Sequence, residues 1–355
     1  MTFARVLIAG GAGFIGTHVA RHLLETRAAA AVTSLDVVDP DDTVVGVKYF
    51  RHDVRQAIPD ELAAGCDAVF NFAAVHKTPG HPDHEYFETN VAGATNVTNF
   101  CDKHGIATLV FTSSISVYGP SEQPLHEASP IRPNHAYGRS KWLAEEIHRA
   151  WLARAPNRKL VILRPAVVFG RGENGNFTRL VKLMRRGLFV FPGRKDTRKA
   201  SGYVKELAHT LAFALTRANP YYLYNFAYRD CPTAEEICRL LTETGELHSP
   251  LGVVPLPAVE LAGRTFEVLN ACGLRNGMSR ERIKKLTNST YVVPQRLMDD
   301  GYPYQFSLAS AFADWFAADP SLGVRPRMKA AERAGAVFQE PAMTSVDPMT
   351  RRTNA

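Results

Sequence analysis

The chain has 355 residues, 45% of them hydrophobic and 22% charged, enough for a buried core and about two domains at roughly 150 residues each. No apolar run approaches the roughly 18 residues of a membrane helix, and the N-terminal MTFARVLIAGGAGFIG lacks a basic leader and cleavage site, so neither a membrane partner nor a secreted route is expected and the cytoplasm fits best. A net charge of +7 is too mild and dispersed for a nucleic-acid partner, while it suits an anionic small molecule as well as it suits a merely solvated surface.

Short β-branched runs at residues 5–9, 31–37, 67–73, 107–112 and 160–163 alternate with helical stretches at 17–27 and 140–153. The alternation predicts an α/β fold, a Rossmann-like doubly wound parallel sheet with helices on both faces. Val19, Leu23 and Leu24 mark the inner side of the first helix, and Leu143, Ile147 and Trp151, four apart, that of the second. After Arg164-Pro165 the chain turns to Gly, Pro and basic residues over 170–198, around one helical stretch at 177–187. Residues 202–217 read as a helix and 222–226 as a strand that returns to the sheet. These features predict a dinucleotide-binding domain over 1–170 plus about 200–227. A smaller, mostly C-terminal α/β substrate domain would take about 171–199 plus 228–325, and 326–355 would form a loosely ordered tail.

The first strand runs into Gly10-Gly11-Ala12-Gly13-Phe14-Ile15-Gly16. A glycine turn between strand and helix lets the backbone approach a pyrophosphate, which the free N–H groups and positive dipole of the helix N-terminus attract. Asp36 stands twenty residues beyond Gly16 at the end of the second strand, where a carboxylate can bond the adenosine ribose hydroxyls and repel a 2′-phosphate. No arginine follows it in Val37-Val38-Asp39-Pro40, so NAD is expected in preference to NADP. Asp53, next to Val54 after the third strand, is placed to meet the adenine edge or to end a strand in an ordinary turn.

His76, Lys77, His81 and His84 share a loop with Pro79, Gly80 and Pro82, which offers no regular ligand face, so no metal site is expected. The five scattered cysteines form no C-x-x-C pair and predict neither a disulfide framework nor a zinc site. Further on, Thr112-Ser113-Ser114-Ile115-Ser116-Val117-Tyr118-Gly119 leaves the fourth strand at the carboxyl edge of the sheet, where doubly wound folds bind ligands. Tyr137 and Lys141 stand four apart at the start of a helix and share a face. An ammonium beside a phenol favours the phenolate and gives a usable acid/base.

Together these motifs resemble the extended branch of the short-chain dehydrogenase/reductase superfamily, the NAD-dependent nucleotide-sugar epimerases and dehydratases. Asn71-Phe72-Ala73-Ala74, Asn90-Val91-Ala92-Gly93, Leu163-Arg164-Pro165 and Val168-Phe169-Gly170 fit the same pattern in the same order. The resemblance implies Ser114, Tyr137 and Lys141 as catalytic residues. It implies cofactor contacts from Gly10, Gly13, Phe14, Ile15, Gly16, Asp36, Asp53, Val54, Ala73, Ala74, Asn90 and Arg164, with Tyr137 and Lys141 reaching the nicotinamide side. Substrate contacts are implied for His76, Lys77, Ser116, Asn176, Arg194, Arg198 and Lys199. Where the family's 4,6-dehydratases carry Asp and Glu, this chain has Ile115 and Ser116, which disfavours dehydration. The expected activity is epimerisation of a nucleotide-diphosphate sugar at C4. The alternatives are a NAD(P)H-dependent 4-ketosugar reductase and, last, a non-catalytic redox sensor. A homodimer through helices near 90–103 and 140–153 is also implied.

Overall fold

The computed structural model describes residues 2–78, 80–259, 261 and 287–324. From the N-terminus, β1 (Phe3–Ala9), α1 (Phe14–Glu25), β2 (Ala29–Asp36), β3 (Val47–Arg51), β4 (Ala68–Asn71), α2 (Asp83–His104) and β5 (Thr108–Thr112) alternate. They are followed by β6 (Ser121–Leu125), α3 (Ala136–Ala153), β7 (Lys159–Pro165), β8 (Val167–Phe169), α4 (Asn176–Arg185), β9 (Phe191–Pro192), β10 (Ser201–Tyr203), α5 (Val204–Thr216) and β11 (Tyr221–Phe226). Then come α6 (Ala234–Gly245), β12 (Val253–Val254), β13 (Thr290–Val292), the short α7 (Gln295–Asp299) and α8 (Leu308–Ala318). The predicted tail and Cys272 lie outside the described residues, apart from the tail's approach up to Val324.

Seven strands make one parallel sheet in the order β11-β7-β5-β4-β1-β2-β3. The chain first builds outward from β1 to β3 and then returns to lay β4 on the other side of β1. Reversal of the winding between β1 and β4 leaves a crevice at their carboxyl ends. Apart from the edge strand β3, the strands of this sheet are largely buried on both faces. α1 and α5 cover one side with Val19, Leu23, Leu207 and Leu211, while α2 and α3 cover the other with Val97, Phe100, Ala144 and Trp151. A third apolar cluster lies away from the sheet, where Phe177, Val181, Ile237, Leu241, Phe312 and Trp315 join α4, α6 and α8.

α3 does not present the stripe that its apolar residues predict. Trp151 is fully buried, but Leu143 is exposed, and the inward residues are Lys141, Ala144, Glu145, His148 and Trp151. At about 100° per residue the five inward residues span an arc of about 120° with Trp151 at its edge, and Leu143 falls about 80° beyond that edge. The face that packs inward carries three titratable side chains because each has a buried partner.

Glu206 fastens the C-terminal segment to the sheet. Its carboxylate accepts the Tyr302 hydroxyl and the backbone N–H groups of Gln305 (3.0 Å) and Phe306 (2.7 Å). Glu206→Ala would leave these donors unpaired inside the protein and is expected to lower stability by about 2–4 kcal/mol. Urea titration of the two proteins checks this, and an unchanged midpoint would contradict it.

Candidate active site

The glycine turn is fixed by close packing. Gly10 has φ +80°, and a Cβ there would lie 2.5 Å from the Ala73 backbone nitrogen, while one on Gly16 would run into Gly10 and Gly11. Gly13 is different, since the nearest atom to a Cβ there is the Gly10 carbonyl oxygen at 3.3 Å. Gly13 is also the N-cap of α1, whose first turn, beginning Phe14-Ile15-Gly16, has no side-chain cap and no acidic residue. This is an open, positively polarised helix end of the kind that receives a phosphate.

Asp36 ties β2 to that turn, accepting the N–H groups of Ala12 (3.1 Å) and Val37 (2.8 Å). Beside it a cavity of about 110 Å³ is lined by Ser34, Asp36, Val38, Tyr49, Phe50 and Arg51, among others. Arg51 comes from β3, where it sits in register with Asp36, so a search of the residues after Asp36 could not find it. The uncapped helix end, the space over Gly13 and the carboxylate at the strand end fit a dinucleotide.

Ser114, Tyr137 and Lys141 converge on the same edge. Ser114 caps the helical turn Ile115–Val117, its Oγ accepting the Ser116 N–H at 3.1 Å. That turn packs on the start of α3 because position 138 is glycine: a Cβ there would collide with the Ser116 carbonyl oxygen. Burial pushes the Tyr137 phenol up to about 12, and the adjoining Ser114 hydroxyl works against that rise. Lys141 is buried, donates to the Thr112 carbonyl oxygen at 2.8 Å and lies 4.8 Å from the Phe111 ring centre. Burial lowers its ammonium to about 7, opposed by Glu145. The sequence expectation that Lys141 lowers the phenol is not met in this state, because burial dominates both groups and the ammonium is turned to Thr112.

Several predicted cofactor residues are consumed inside the protein. Arg164 is buried, with Nε and Nη2 on Glu145 (2.8 and 2.6 Å) and Nη1 on the Tyr118 hydroxyl (2.7 Å), which itself donates to Asn225. Each guanidinium nitrogen thus has a partner inside the protein. Asn90 bonds both backbone groups of Val75 and donates to Ser140 at 2.9 Å, so it locks the loop after Ala73-Ala74 to α3. Asp53 pairs with Arg55 (2.6 Å), and Val54 packs into the core against Gly93.

On the substrate side, His76 and Lys77 stand exposed in their loop, which the Tyr86 hydroxyl holds by donating to the Lys77 carbonyl oxygen. Asn176 opens α4 and is exposed. Arg194 bonds Asp196 (2.6 Å) and Glu122 (3.2 Å). Arg198 donates to the Cys231 carbonyl oxygen at 2.9 Å, and Lys199 to that of Asn288 at 2.7 Å. Ala200, next to them, packs with Ile115 and Val117, so this basic segment adjoins the Ser114 turn. Asn176 precedes Phe177, whose cluster also packs against Phe14 of the glycine turn. Sequence reasoning missed Glu145, whose one available signal is its place four residues after Lys141 on the same helical face.

The model of the NAD dependent epimerase/dehydratase family matches residues 6–227 of this chain. The chain belongs to that family. Within it, the chain is 31% identical over 313 residues to an N-acetyl-α-D-glucosaminyl-diphospho-ditrans,octacis-undecaprenol 4-epimerase of Escherichia coli O157:H7, covering 86% of this chain and 92% of that protein. It is 32% identical to UDP-glucose 4-epimerase 3 of Oryza sativa subsp. japonica over 49% of this chain and 51% of that one. The solved structure of MoeE5 in complex with UDP-glucuronic acid and NAD superposes with a TM-score of 0.69 at 23% identity, over 90% of this chain and 98% of that one, which places the fold.

Lys141 carries a stability consequence of its own. With its ammonium at about 7 in the folded chain against 10.5 otherwise, the unfolded chain holds the extra proton between those values. Stability should therefore rise as pH climbs from about 7 toward 10.5. Lys141→Met should remove that slope and raise stability near neutral pH by about 1–4 kcal/mol. Denaturant titrations from pH 6.5 to 10 measure both.

Proposed function

We propose that this protein is an NAD-dependent nucleotide-sugar epimerase that inverts C4 through a keto-sugar intermediate. The observation that carries the reading is the convergence of Ser114, Tyr137 and Lys141 on the sheet edge that also holds the uncapped glycine turn. NAD, when bound, would supply a reversible hydride acceptor for C4, and the other work falls to side chains. Gly10, whose N–H donates to the Leu35 carbonyl oxygen, would shape the turn; Gly13, Phe14, Ile15 and Gly16 would hold the pyrophosphate at the helix N-terminus, and Asp36 the adenosine ribose. Tyr137 takes the C4 hydroxyl proton and later returns it, Ser114 bonds the same oxygen, and Lys141 orients the nicotinamide side and supplies positive charge. Taking that proton requires the phenolate, which the positive charge of Lys141 and of bound NAD would favour against the burial that raises the phenol. Arg194, Arg198 and Lys199 would meet the substrate diphosphate, for which their present partners Asp196, Glu122 and two carbonyl groups are placeholders.

The division into a dinucleotide domain and a smaller substrate domain over 171–199 plus 228–325 follows the separate apolar cluster of α4, α6 and α8. A cytoplasmic homodimer through α2 and α3 is part of the same reading, and the exposed Leu143 supports it. Among the described residues no helix is long and apolar enough to cross a membrane. A second reading has the sugar diphosphate carried on a polyprenol. It is favoured by the E. coli relative that matches almost end to end, whereas this chain spans about half the length of the rice UDP-glucose epimerase.

Incubating the purified protein with UDP-, GDP-, dTDP- and CDP-sugars and a polyprenyl-diphosphate sugar, without added cofactor, separates these readings. Interconversion of two C4 epimers, with stoichiometric NAD in the denatured extract, is the expected result. Turnover only of keto sugars when NAD(P)H is supplied would replace the epimerase by a reductase. Tyr137→Phe should lower kcat on the order of 10³-fold with little change in KM, as removal of an acid/base does, and steady-state kinetics on the accepted sugar reads it.

A further inference from the structure

We propose that the surface formed by α4, β9 and the segment around β12 docks on an anionic lipid membrane. Eleven large apolar side chains are exposed among the described residues, and five of them gather here: Leu183, Leu188, Leu251, Val253 and Leu256. Adjacent backbone brings them together. Leu188 N–H donates to the Leu183 carbonyl oxygen (3.0 Å), Leu251 N–H to that of Phe189 (2.9 Å), and Gly193 N–H to that of Val254 (2.8 Å). Phe191 turns into the core cluster while its partner across the ribbon, Val253, faces out. Outward positions of a surface ribbon tolerate polar residues at no loss of packing, yet this one reads Leu-Gly-Val-Val-Pro-Leu-Pro over 251–257. An exposed apolar cluster of this kind marks an interaction surface.

Charge selects the partner. Residues 174–195 hold six lysines and arginines and no acid, and residues 247–259 hold no acid either. Arg185 is spent on the Leu322 carbonyl oxygen, and Arg194 and Lys195 on carboxylates. Arg179, Lys182 and Arg186 are exposed at spacings of three and four, on one side of the helical stretch together with Leu183, and have no side-chain partner among the described residues. Apolar residues flanked by unpaired cations suit a headgroup layer, where the side chains enter the interface and the cations meet lipid phosphates. A second copy of the same face would bring two sets of unpaired cations together, which a self-complementary contact cannot accommodate. The surface borders the proposed diphosphate site, since Leu256 lies 3.6 Å from where a Cβ on Gly193 would stand, next to Arg194. Docking would hold that site over a polyprenol-linked sugar diphosphate. The inference rests on that reading for its purpose alone, and its test contains no sugar.

The full chain is sedimented with vesicles of phosphatidylglycerol and phosphatidylcholine, and with phosphatidylcholine vesicles, at low salt. Binding to the anionic vesicles and little to the neutral ones is expected. The triple variant Arg179→Gln, Lys182→Gln, Arg186→Gln should weaken it on the order of 100-fold, and the double variant Leu188→Ser, Leu251→Ser should weaken it too. Both variants should keep the parent melting temperature. No binding to anionic vesicles, or binding that neither variant reduces, would overturn the proposal, as would a dimer in light scattering that Leu188→Ser, Leu251→Ser converts to monomer. An epimerase with no vesicle binding would refute this inference alone, and vesicle binding without epimerisation would refute only the proposed function.

Discussion

One face of α3 carries a phenol, an ammonium and a carboxylate at four-residue steps, and the molecule is organised around keeping two of those charges out of water. Lys141 and Glu145 are both buried, a costly arrangement unless every charge finds a partner. Glu145 is matched by Arg164 from β7 and by Ser113 at the end of β5, and at its outer edge by Arg149. Those bonds fix α3 against two neighbouring strands of the sheet. Tyr137 and Lys141 inherit their positions from that anchoring, because they lie two turns and one turn upstream on the same face. Arg164 acts on the site by holding Glu145.

The same constraint explains the hydrogen bonds that bring three segments to the sheet edge. Asn90 holds the loop at Val75 and reaches Ser140, whose hydroxyl donates to the Tyr137 carbonyl oxygen at 2.9 Å. Gly138 lets the Ser114 turn lie on the first turn of α3. His148 stacks on Phe111 and contacts Asn71, and burial lowers its imidazole to about 4, so it stays neutral beside Lys141. A polar network of this kind rigidifies a site because each member is satisfied only in one arrangement.

What the sequence made legible follows from the range of the forces involved. The glycine turn, Asp36 and the strand alternation are set by local geometry, and they stand in the structure where local spacing put them. The four-residue step from Tyr137 to Lys141 is equally local. The bond from Arg164 to Glu145 was not legible because it joins a strand to a helix nineteen residues away in sequence. Arg51 was missed because strand register brought it to Asp36. The inward face of α3 was misjudged because apolar residues were taken as the guide to burial, and here charged pairs occupy the buried side while Leu143 is exposed. The apolar surface near Leu251 escaped notice for a related reason, since a count of consecutive apolar residues detects membrane spans and is blind to side chains assembled from separate segments.

The claim at the centre is that the C4 hydrogen leaves and returns within one closed site while Tyr137 handles only the hydroxyl proton. Running the sugar interconversion in deuterium oxide and examining both epimers by proton NMR tests it most directly. Full retention of the carbon-bound hydrogen at C4, with no deuterium at any ring carbon through many turnovers, is the predicted result. Deuterium at C4 would mean that solvent-exchanged hydrogen is returned, and deuterium at C3 or C5 would mean proton abstraction beside a carbonyl; either would contradict this chemistry.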